Sequence, residues 1–271
     1  MPELPEVETT RRGIAPHVEN NTICNVVVRN RNLRWPIPTN LKTKLKGQVV
    51  RSVSRRAKYL LINTDTGTLI IHLGMSGSLR ILSRDEVIDK HDHFELQFED
   101  GSCLRLRDPR RFGAVLWTKD NPYEHKLLIN LGPEPLDKSF NADLLFKKSR
   151  KRKTTIKQFI MDAKIVVGVG NIYASESLFL AGINPKKLAG KITQVQAKEL
   201  AAAIKKILTA AIKQGGTTLK DFKSSDGKPG YFQQKLKVYD RMGQACSKCK
   251  KPVEQITLGQ RSTFYCSNCQ K

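Results

Sequence analysis

Two groups of residues in this chain have the types and spacing to do chemistry, and the first lies at its start. The sequence opens with MPELPEVET. Removal of Met1 would leave Pro2 as a secondary amine with a pKa of roughly 8, so a useful fraction would be neutral near pH 7. A neutral amine can attack an electrophilic carbon and form a Schiff base, and the adjacent Glu3 could act as an acid. The plainer interpretation is that Pro5 and the glutamates after it only begin a helix.

Four cysteines near the other end form the second group. Cys246 and Cys249 are followed, after sixteen residues, by Cys266 and Cys269. Two Cys-x-x-Cys pairs at this separation are typical of a tetrahedral structural zinc site, and four sulfur ligands leave no open position for catalysis. Two disulfides are the alternative, which a reducing cytoplasm disfavours. The hairpin expected between the pairs carries Arg261, which would either meet a phosphate or remain a solvated charge.

Two turns carry side chains that suit a distorted nucleic acid. The turn Asp108–Gly113 holds Arg110 and Phe112, and another turn holds Met75. An apolar wedge can enter a base stack while cations hold the phosphates. Taken singly, each apolar side chain is more often ordinary packing. Lys58, by itself, would be a surface charge at a strand edge.

Two weaker signals lie elsewhere. Residues 168–173 read GVGNIY before a helical stretch, and a glycine turn that opens a helix presents N–H groups to an anion. A Gly-x-Gly is more often just a tight turn. The triplet His91-Asp92-His93 could suggest a metal site, but without an evident further ligand set we prefer hydrogen-bonding and phosphate roles.

The charge of the chain indicates its partner. Its 271 residues contain 48 Lys and Arg against 25 acidic residues, a net charge of +23. This surplus favours a polyanion, nucleic acid above all, over the weaker alternative of an anionic membrane, because no basic amphipathic helix stands out. No apolar run is long enough to span a bilayer, and no signal-peptide pattern is present. We therefore expect a soluble, cytoplasmic, nucleoid-associated protein.

Hydrophobic periodicity and turn residues predict the elements that must position these side chains. Residues 5–18 read as a helix. Eight short β-rich runs follow and imply an antiparallel sandwich or barrel: residues 22–28, 49–54, 59–63, 68–73, 78–82, 94–98, 103–107 and 114–118.

The composition changes at the GPEP segment of residues 132–135, which is the expected domain boundary. Four helices are predicted beyond it, over residues 142–148, 154–163, 172–181 and 195–214. The polar stretch 217–236 contains Gly and Pro and reads as a mobile loop.

Together these segments resemble bacterial formamidopyrimidine-DNA glycosylases along essentially the whole chain. The resemblance rests on the PELPEVET start, RRAKYL at 55–60, HLGMSG at 72–77, KHDH at 90–93, DPRRFG at 108–113, GPEP at 132–135, GVGNIY at 168–173 and the four cysteines. The sister endonuclease VIII family usually begins Pro-Glu-Gly-Pro-Glu, so Leu4 favours the branch that acts on oxidised purines.

The resemblance implies an α+β, two-domain fold. An N-terminal helix and an eight-stranded antiparallel β-sandwich would occupy residues 1–131. A helix-two-turn-helix domain with a lesion-capping loop would occupy 132–236, and a four-cysteine zinc finger with one structural Zn²⁺ would occupy 237–271. DNA would cross the cleft between the domains, and we expect a monomer bound to duplex DNA that contains oxidised purines or abasic sites.

The resemblance also implies catalytic roles. Pro2 would attack the sugar and displace the damaged base, and Glu3 would protonate the ring oxygen. Lys58 would assist β-elimination, and Arg261 would assist δ-elimination. Glu6 would support the pocket.

Further residues match the family's DNA-contact positions. Met75, Arg110 and Phe112 would fill the space left by the flipped nucleotide. The remaining matched contacts are His91, Arg152, Asn171 and Lys157.

A few residues depart from the family pattern. Arg152 stands where Lys is common, which keeps the charge. Asp240 stands where Gly is frequent, and Gln260-Arg261-Ser262 replaces a Gly-Arg-Gly-like turn. These changes leave the chemistry intact and affect only the local geometry of the finger.

Two other functions are compatible with parts of the sequence. A zinc-ribbon DNA-binding protein without chemistry would explain the charge and the cysteines but not the N-terminal motif. A metal-dependent nuclease would use Asp92, Glu95 and Asp108.

Overall fold

The chain divides into two units in a computed structural model that describes residues 2–215 and 236–271. Residues 2–129 belong to the first unit, and residues 130–213 with 236–271 belong to the second. The first unit ends three residues before Gly132, where the composition of the sequence changes.

Helix α1, Leu4–Val18, opens the first unit. Glu3 is its N-cap, and the buried residues Leu4, Val7 and Ile14 face the core. Apolar residues three or four positions apart form one face of a helix, so burial of that face holds α1 on the sheets. A short helix that the sequence did not suggest, α2, spans Leu41–Leu45.

Eight strands form two separate four-stranded sheets, and every pairing is antiparallel. One sheet has the order β1-β6-β7-β5 and the other the order β2-β3-β4-β8. The strands are β1 Ile23–Val28, β2 Val50–Arg56, β3 Tyr59–Thr64, β4 Gly67–His72, β5 Ser78–Ser83, β6 Asp92–Phe98, β7 Ser102–Arg107 and β8 Ala114–Thr118. The structure therefore decides between the two predicted architectures in favour of the sandwich.

One apolar core lies between the sheets. It joins Leu96 and Leu104 of the first sheet to Ile62 and Leu69 of the second, and α1 adds Val7. Core side chains alternate along β6, where Phe94, Leu96 and Phe98 point inward, as the period of two requires. In β1 and β2 a register shift interrupts this alternation.

Helices dominate the second unit. They are α3 Ala142–Ser149, α4 Ile156–Met161, α5 Asn171–Leu180 and α6 Gln194–Lys213. Leu200, Ile204 and Leu208 of α6 are fully buried, as their spacing of four predicts. Of the predicted mobile loop 217–236, all but Leu236 lies outside the described residues.

The finger consists of two cysteine-bearing turns around a hairpin of β9, Glu254–Leu258, and β10, Arg261–Tyr265. Together the two units confirm the α+β fold class. Within the described ranges, no helix is long and apolar enough to cross a membrane.

Candidate active site and metal centre

The start of α1 is a buried, tightly bonded corner. Pro2 is buried, and Glu3 is 2% exposed. The Glu3 N–H donates to Oε2 of Glu6 at 2.8 Å, and the Glu3 side chain accepts from the Glu6 N–H in return. This capping box satisfies N–H groups that the first helical turn leaves unpaired. It holds both carboxylates next to Pro2, at the positive end of the helix dipole.

Lys58 lies in the two-residue turn between β2 and β3, where Arg56 pairs with Tyr59. His72 on the neighbouring strand pairs with Tyr59, and the two rings lie 4.8 Å apart. Burial and the positive charges of Lys58 and Arg34 lower the pKa of His72 to about 4. This histidine is therefore neutral near pH 7, and its Nδ1 accepts the Gly74 N–H at 3.0 Å.

Glu8 connects α1 to the hairpin that carries Lys58. Its Oε2 accepts from Arg55 Nε at 3.1 Å, while Oε1 accepts from Arg12 at 2.8 Å and Arg11 at 2.9 Å. Burial by itself raises the pKa of Glu8, but hydrogen bonds from Arg11 and Arg12 and the charges of Arg11 and Arg55 outweigh it. The result is a pKa of about 2.

The side chains expected to enter DNA lie on two turns of the first unit. Phe112 is 45% exposed and Met75 is half-buried. Arg110 is exposed, and its guanidinium carbon lies 5.2 Å from the centre of the Phe112 ring. His91 is half-buried just before β6, with its ring 6.4 Å from that of His93.

The three carboxylates of the nuclease alternative are already bonded within the protein. Asp92 Oδ1 accepts from Arg80 at 2.9 Å, and Glu95 Oε2 accepts from the fully buried Arg105 at 2.7 Å. Asp108 accepts from a serine hydroxyl and a backbone amide. These ion pairs and hydrogen bonds give all three carboxyl groups a structural role, which disfavours the metal-dependent nuclease.

The glycine-rich segment before α5 opens that helix, as its sequence suggested. Gly170 is the N-cap, and Asn171 is the first helical residue. The Asn171 amide donates to the Ser262 carbonyl of the finger at 2.9 Å, which ties the helix start to β10.

Lys157, which we expect to contact DNA, is buried in this structure. It is 1% exposed, and its Nζ donates to Asn171 Oδ1 at 2.6 Å, Thr263 Oγ1 at 2.7 Å and the Ser262 carbonyl at 3.1 Å. A buried ammonium needs such partners. Lys157 therefore lies where α4, α5 and the finger contact one another. Its contact with DNA stays a prediction.

The other two cations of the second unit that the resemblance assigns to the site, Arg261 and Arg152, are exposed. Arg261 begins β10, immediately after the turn of the finger hairpin. Arg152 lies in the connection between α3 and α4, where its carbonyl accepts the Gly190 N–H at 3.0 Å.

The four cysteines form one cluster, and it is the single group of potential metal ligands found in residues 2–215 and 236–271. The Sγ atoms of Cys246 and Cys269 lie 3.9 Å apart, and those of Cys249 and Cys266 lie 3.5 Å apart. All four lie within 4.8 Å of one another. Sulfur atoms bound tetrahedrally at about 2.3 Å from zinc stand about 3.8 Å apart, so the donor set fits the ion.

Protonation of the cluster supports the same conclusion. A backbone hydrogen bond from Lys251 lowers the pKa of Cys249 to about 6, whereas burial and the neighbouring sulfurs raise the pKa of Cys269 to about 12. Without a cation, burial and the neighbouring sulfurs therefore oppose ionisation of Cys269. A dication would stabilise all four thiolates, so these residues hold one structural Zn²⁺.

The finger shares its core with the helical part of the second unit. Phe179 of α5 packs with Val238, Val253 and Phe264 of the finger. Glu176, also on α5, accepts the three successive N–H groups of residues 237–239 at 2.9 Å each. Metal binding therefore stabilises the position of the finger on α5 as well as the finger itself.

Sequence reasoning missed several residues that position the site. Glu8 and Arg55 were noticed only as part of motifs, and Glu176 and Ser76 received no role. Their partners are distant in the sequence, so no local spacing reveals them. Glu176 is the one charged residue of α5, and a single charge in a helix of mainly apolar and small residues is the signal that could have been used.

Three family models match successive parts of the chain. The Formamidopyrimidine-DNA glycosylase N-terminal domain matches residues 1–115, and the Formamidopyrimidine-DNA glycosylase H2TH domain matches residues 131–223. The zinc finger found in FPG and IleRS matches residues 243–271. A β-sandwich, an H2TH domain and a zinc finger in this order define a DNA glycosylase.

Curated relatives extend the match over the full chain. The formamidopyrimidine-DNA glycosylase of Thioalkalivibrio sulfidiphilus is 57% identical over 271 residues and covers 100% of both chains. That of Hydrogenovibrio crunogenus is 58% identical and covers 100% of this chain and 97% of its own. The chain belongs to the formamidopyrimidine-DNA glycosylase family.

Solved structures agree with this assignment. The MutM (Fpg) protein of Thermus thermophilus superimposes with a TM-score of 0.89 at 36% identity, covering 99% of this chain and 98% of that one. Wild-type Lactococcus lactis Fpg (MutM), in complex with N7-benzyl-Fapy-dG DNA, gives 0.92 at 34% identity and covers 100% of both chains.

Proposed function

We propose that this chain removes oxidised purines from duplex DNA and cuts the strand, with Pro2 as its nucleophile. It is a base-excision repair enzyme, a bifunctional DNA glycosylase and abasic-site lyase. The observation that carries the mechanism is the corner at the start of α1, where Pro2 directly precedes the Glu3–Glu6 capping box. Relatives whose structures contain Fapy-dG DNA or an abasic site support the substrate class.

The start of α1 and the two neighbouring carboxylates act on the Pro2 amine in opposite directions. After Met1 has been removed, this secondary amine has an ordinary pKa of roughly 8, so a useful fraction is neutral near pH 7. The Pro2 nitrogen attacks the anomeric carbon of the damaged nucleotide, and the base leaves with the electrons of the glycosidic bond. Because Pro2 is a secondary amine, opening of the sugar ring yields an iminium ion.

Glu3 supplies the proton for ring opening. Its side chain is buried beside Pro2 and oriented by the Glu6 backbone. Glu6 receives the Glu3 N–H and so fixes the geometry of the acid rather than transferring the proton itself.

Two cations complete strand cleavage. The iminium ion acidifies the neighbouring sugar carbon, so β-elimination releases the 3′ phosphate, and Lys58 assists this step through its phosphate contact and its proton. Arg261 assists the following δ-elimination at the 5′ side. Lys58 lies in the turn after β2, and Arg261 is the first residue of β10, directly after a turn. From either position a side chain can reach a backbone phosphate.

Opening of the duplex comes before the chemistry, because a stacked nucleotide shields the target carbon. Met75, Arg110 and Phe112 fill the space that the flipped nucleotide leaves. The phosphate backbone is held by His91, Arg152, Asn171 and Lys157, of which Lys157 acts through its bond to Asn171. The net charge of +23 provides the general attraction to DNA.

Three functional parts follow from this assignment. Residues 1–131 carry the chemistry, 132–236 carry the helix-two-turn-helix domain and the lesion-capping loop, and 237–271 carry the finger. We place the enzyme in the cytoplasm, on nucleoid DNA, as a monomer.

Borohydride trapping tests the mechanism. The Met1-processed protein is mixed with a duplex that contains one 8-oxoguanine, reduced, digested and mapped by mass spectrometry. We expect a covalent adduct on Pro2. A form that retains Met1 is the matched control, and it should bind the duplex without being trapped.

Other outcomes would support the competing functions. Tight binding to the lesion without any adduct, in protein whose Met1 removal is verified, would favour the zinc-ribbon binding protein. Cleavage that stops when free divalent metal is removed, while zinc stays bound to the four cysteines, would favour the nuclease.

A further inference from the structure

The two turns that carry Met75 and Phe112 run side by side from one sheet of the sandwich to the other. The first turn joins β4 to β5, and the second joins β7 to β8. At one end His72 pairs with Ala114, and at the other Ser78 pairs with Arg107. The topology therefore anchors both turns at both ends, but the side chains at their centres still need their own constraint.

Buried polar side chains supply that constraint. Asp108, which is fully buried, accepts from the Ser76 hydroxyl at 2.8 Å through Oδ1 and from the Gly113 N–H at 2.7 Å through Oδ2. The Ser76 oxygen in turn accepts from the Arg110 N–H at 3.2 Å. One carboxylate and one hydroxyl thus connect the turn that holds Met75 to the turn that holds Arg110.

The backbones of the two turns are also in direct contact. A Cβ atom on Gly74, whose φ is +64°, would overlap the backbone of Phe112. Arg111 adopts a φ of 55°, a conformation that costs a non-glycine residue about 1 kcal/mol or more. Its N–H donates to the Asp108 carbonyl at 3.1 Å. Asp108 therefore sets the shape of its own turn as well as its distance from the other.

Burial of a carboxyl group is costly unless hydrogen bonds satisfy its oxygens, as the Ser76 hydroxyl and the Gly113 N–H do for Asp108. Among the outward side chains of these turns, those expected to enter DNA are the half-buried Met75 and the exposed pair Arg110 and Phe112. A wedge made of three separate side chains enters a base stack efficiently only if the three keep their spacing, because every group ordered on binding reduces the affinity.

We propose that Asp108 and Ser76 are positioning residues that hold Met75, Arg110 and Phe112 together as one rigid wedge for opening the duplex. This inference rests on the proposed function. It adds that opening of the duplex, and not the Schiff-base chemistry, depends on this buried pair.

Removal of the Ser76 hydroxyl tests the inference. We expect Ser76→Ala to slow excision of 8-oxoguanine from a fully paired duplex by about 10- to 100-fold. Borohydride trapping on a preformed abasic site in single-stranded DNA, which needs no opening, should stay within about twofold of the unmodified protein. A 2-aminopurine beside the lesion should show a slower and smaller fluorescence rise on binding.

Matched variants separate positioning from general stability. Ser102→Ala removes a similar bond, from Ser102 Oγ to Asp100 Oδ1 at 2.7 Å, in an exposed hairpin away from the two turns. It should leave excision and fluorescence unchanged. Ser76→Thr keeps the hydroxyl and should restore most of the excision rate, and Asp108→Asn should resemble Ser76→Ala if it retains its thermal transition.

The outcomes are distinct from those of the proposed function. Equal losses on the duplex lesion and on the single-stranded abasic site would overturn the positioning role, as would normal excision and fluorescence in Ser76→Ala. If the unmodified protein forms no adduct on either substrate, the proposed function itself fails.

Discussion

Arg55 joins Glu8 of the first helix to the turn that carries Lys58. Its Nε donates to Glu8 Oε2 at 3.1 Å, and its Nη1 donates to the carbonyl of Ala57 at 2.8 Å. Both side chains are largely buried, with 11% of Glu8 and 13% of Arg55 exposed. A single guanidinium therefore connects the element that begins next to Pro2 with the one that presents Lys58.

The pH dependence of protein stability in a Glu8 variant tests this connection. The folded state lowers the pKa of Glu8 from 4.5 to about 2, so its contribution to stability is complete above the unfolded pKa and is lost as the pH falls from about 5 to 2. Since its partners are partly exposed, the contribution is about 1–2 kcal/mol. Glu8→Gln should lower the free energy of unfolding by this amount at pH 7, measured by urea denaturation.

The difference between Glu8→Gln and the unmodified protein should shrink as the pH approaches 2. The control is Asp65→Asn, which breaks the exposed pair of Asp65 with Arg51 and should have little effect. A constant difference from pH 7 to pH 3 would contradict an electrostatic role for Glu8.

The salt dependence of DNA binding distinguishes the two roles open to Lys157. Because its Nζ is bonded to Asn171 and to the finger, Lys157→Met should weaken DNA binding by about 10-fold through loss of positioning. The slope of log affinity against log salt should not change, since no direct phosphate contact is lost. Fluorescence anisotropy at several salt concentrations measures both quantities.

Arg152→Met provides the comparison for Lys157→Met, because Arg152 is exposed. Its loss should reduce the magnitude of the salt slope by about 0.9, the value for one phosphate contact. If Lys157→Met reduced the slope by the same amount, the buried position of Lys157 would not describe the DNA complex.

Replacement of Asp240 by glycine should stabilise the protein. The φ of Asp240 is 57°, in the left-handed region, and its side chain is exposed. Relief of this conformation outweighs the extra chain entropy of glycine, so Asp240→Gly should raise the free energy of unfolding by about 0.5–1 kcal/mol. Asp120→Gly, at an exposed position outside the positive-φ set, should lower it by a similar amount. Calorimetry would measure both changes.

Removal of zinc should affect α5 as well as the finger. Because Phe179 packs with finger residues and Glu176 binds the backbone of residues 237–239, loss of the ion should increase hydrogen exchange in α5 and weaken DNA binding. Cys249→Ser should do the same, and zinc should restore the chelated but not the mutated protein. Cys24→Ser, outside the cluster, is the control, and unchanged exchange in α5 would contradict the shared core.

Local patterns predicted most of the fold. The eight strands occur where β-rich runs bounded by turn residues indicated, and α6 buries the apolar residues that recur every four positions. The four cysteines were recognisable because zinc ligation imposes a short, repeated spacing. Helix α2 was missed, since five residues are too few to show a period. The choice between sandwich and barrel required the strand pairings, which join residues far apart in the chain.

The sequence by itself determined which groups are candidates for chemistry: a proline at position 2 beside Glu3, four cysteines at the spacing of a zinc site and a net charge of +23. These properties depend on residue type and on neighbours a few positions apart. Only the tertiary structure decided how that chemistry is held in place, with Lys157 buried under the finger, Glu8 bound to Arg55 and Asp108 bound to Ser76. Each of these contacts forms between segments that folding brings together, and neither residue of a pair carries a local signal of its partner.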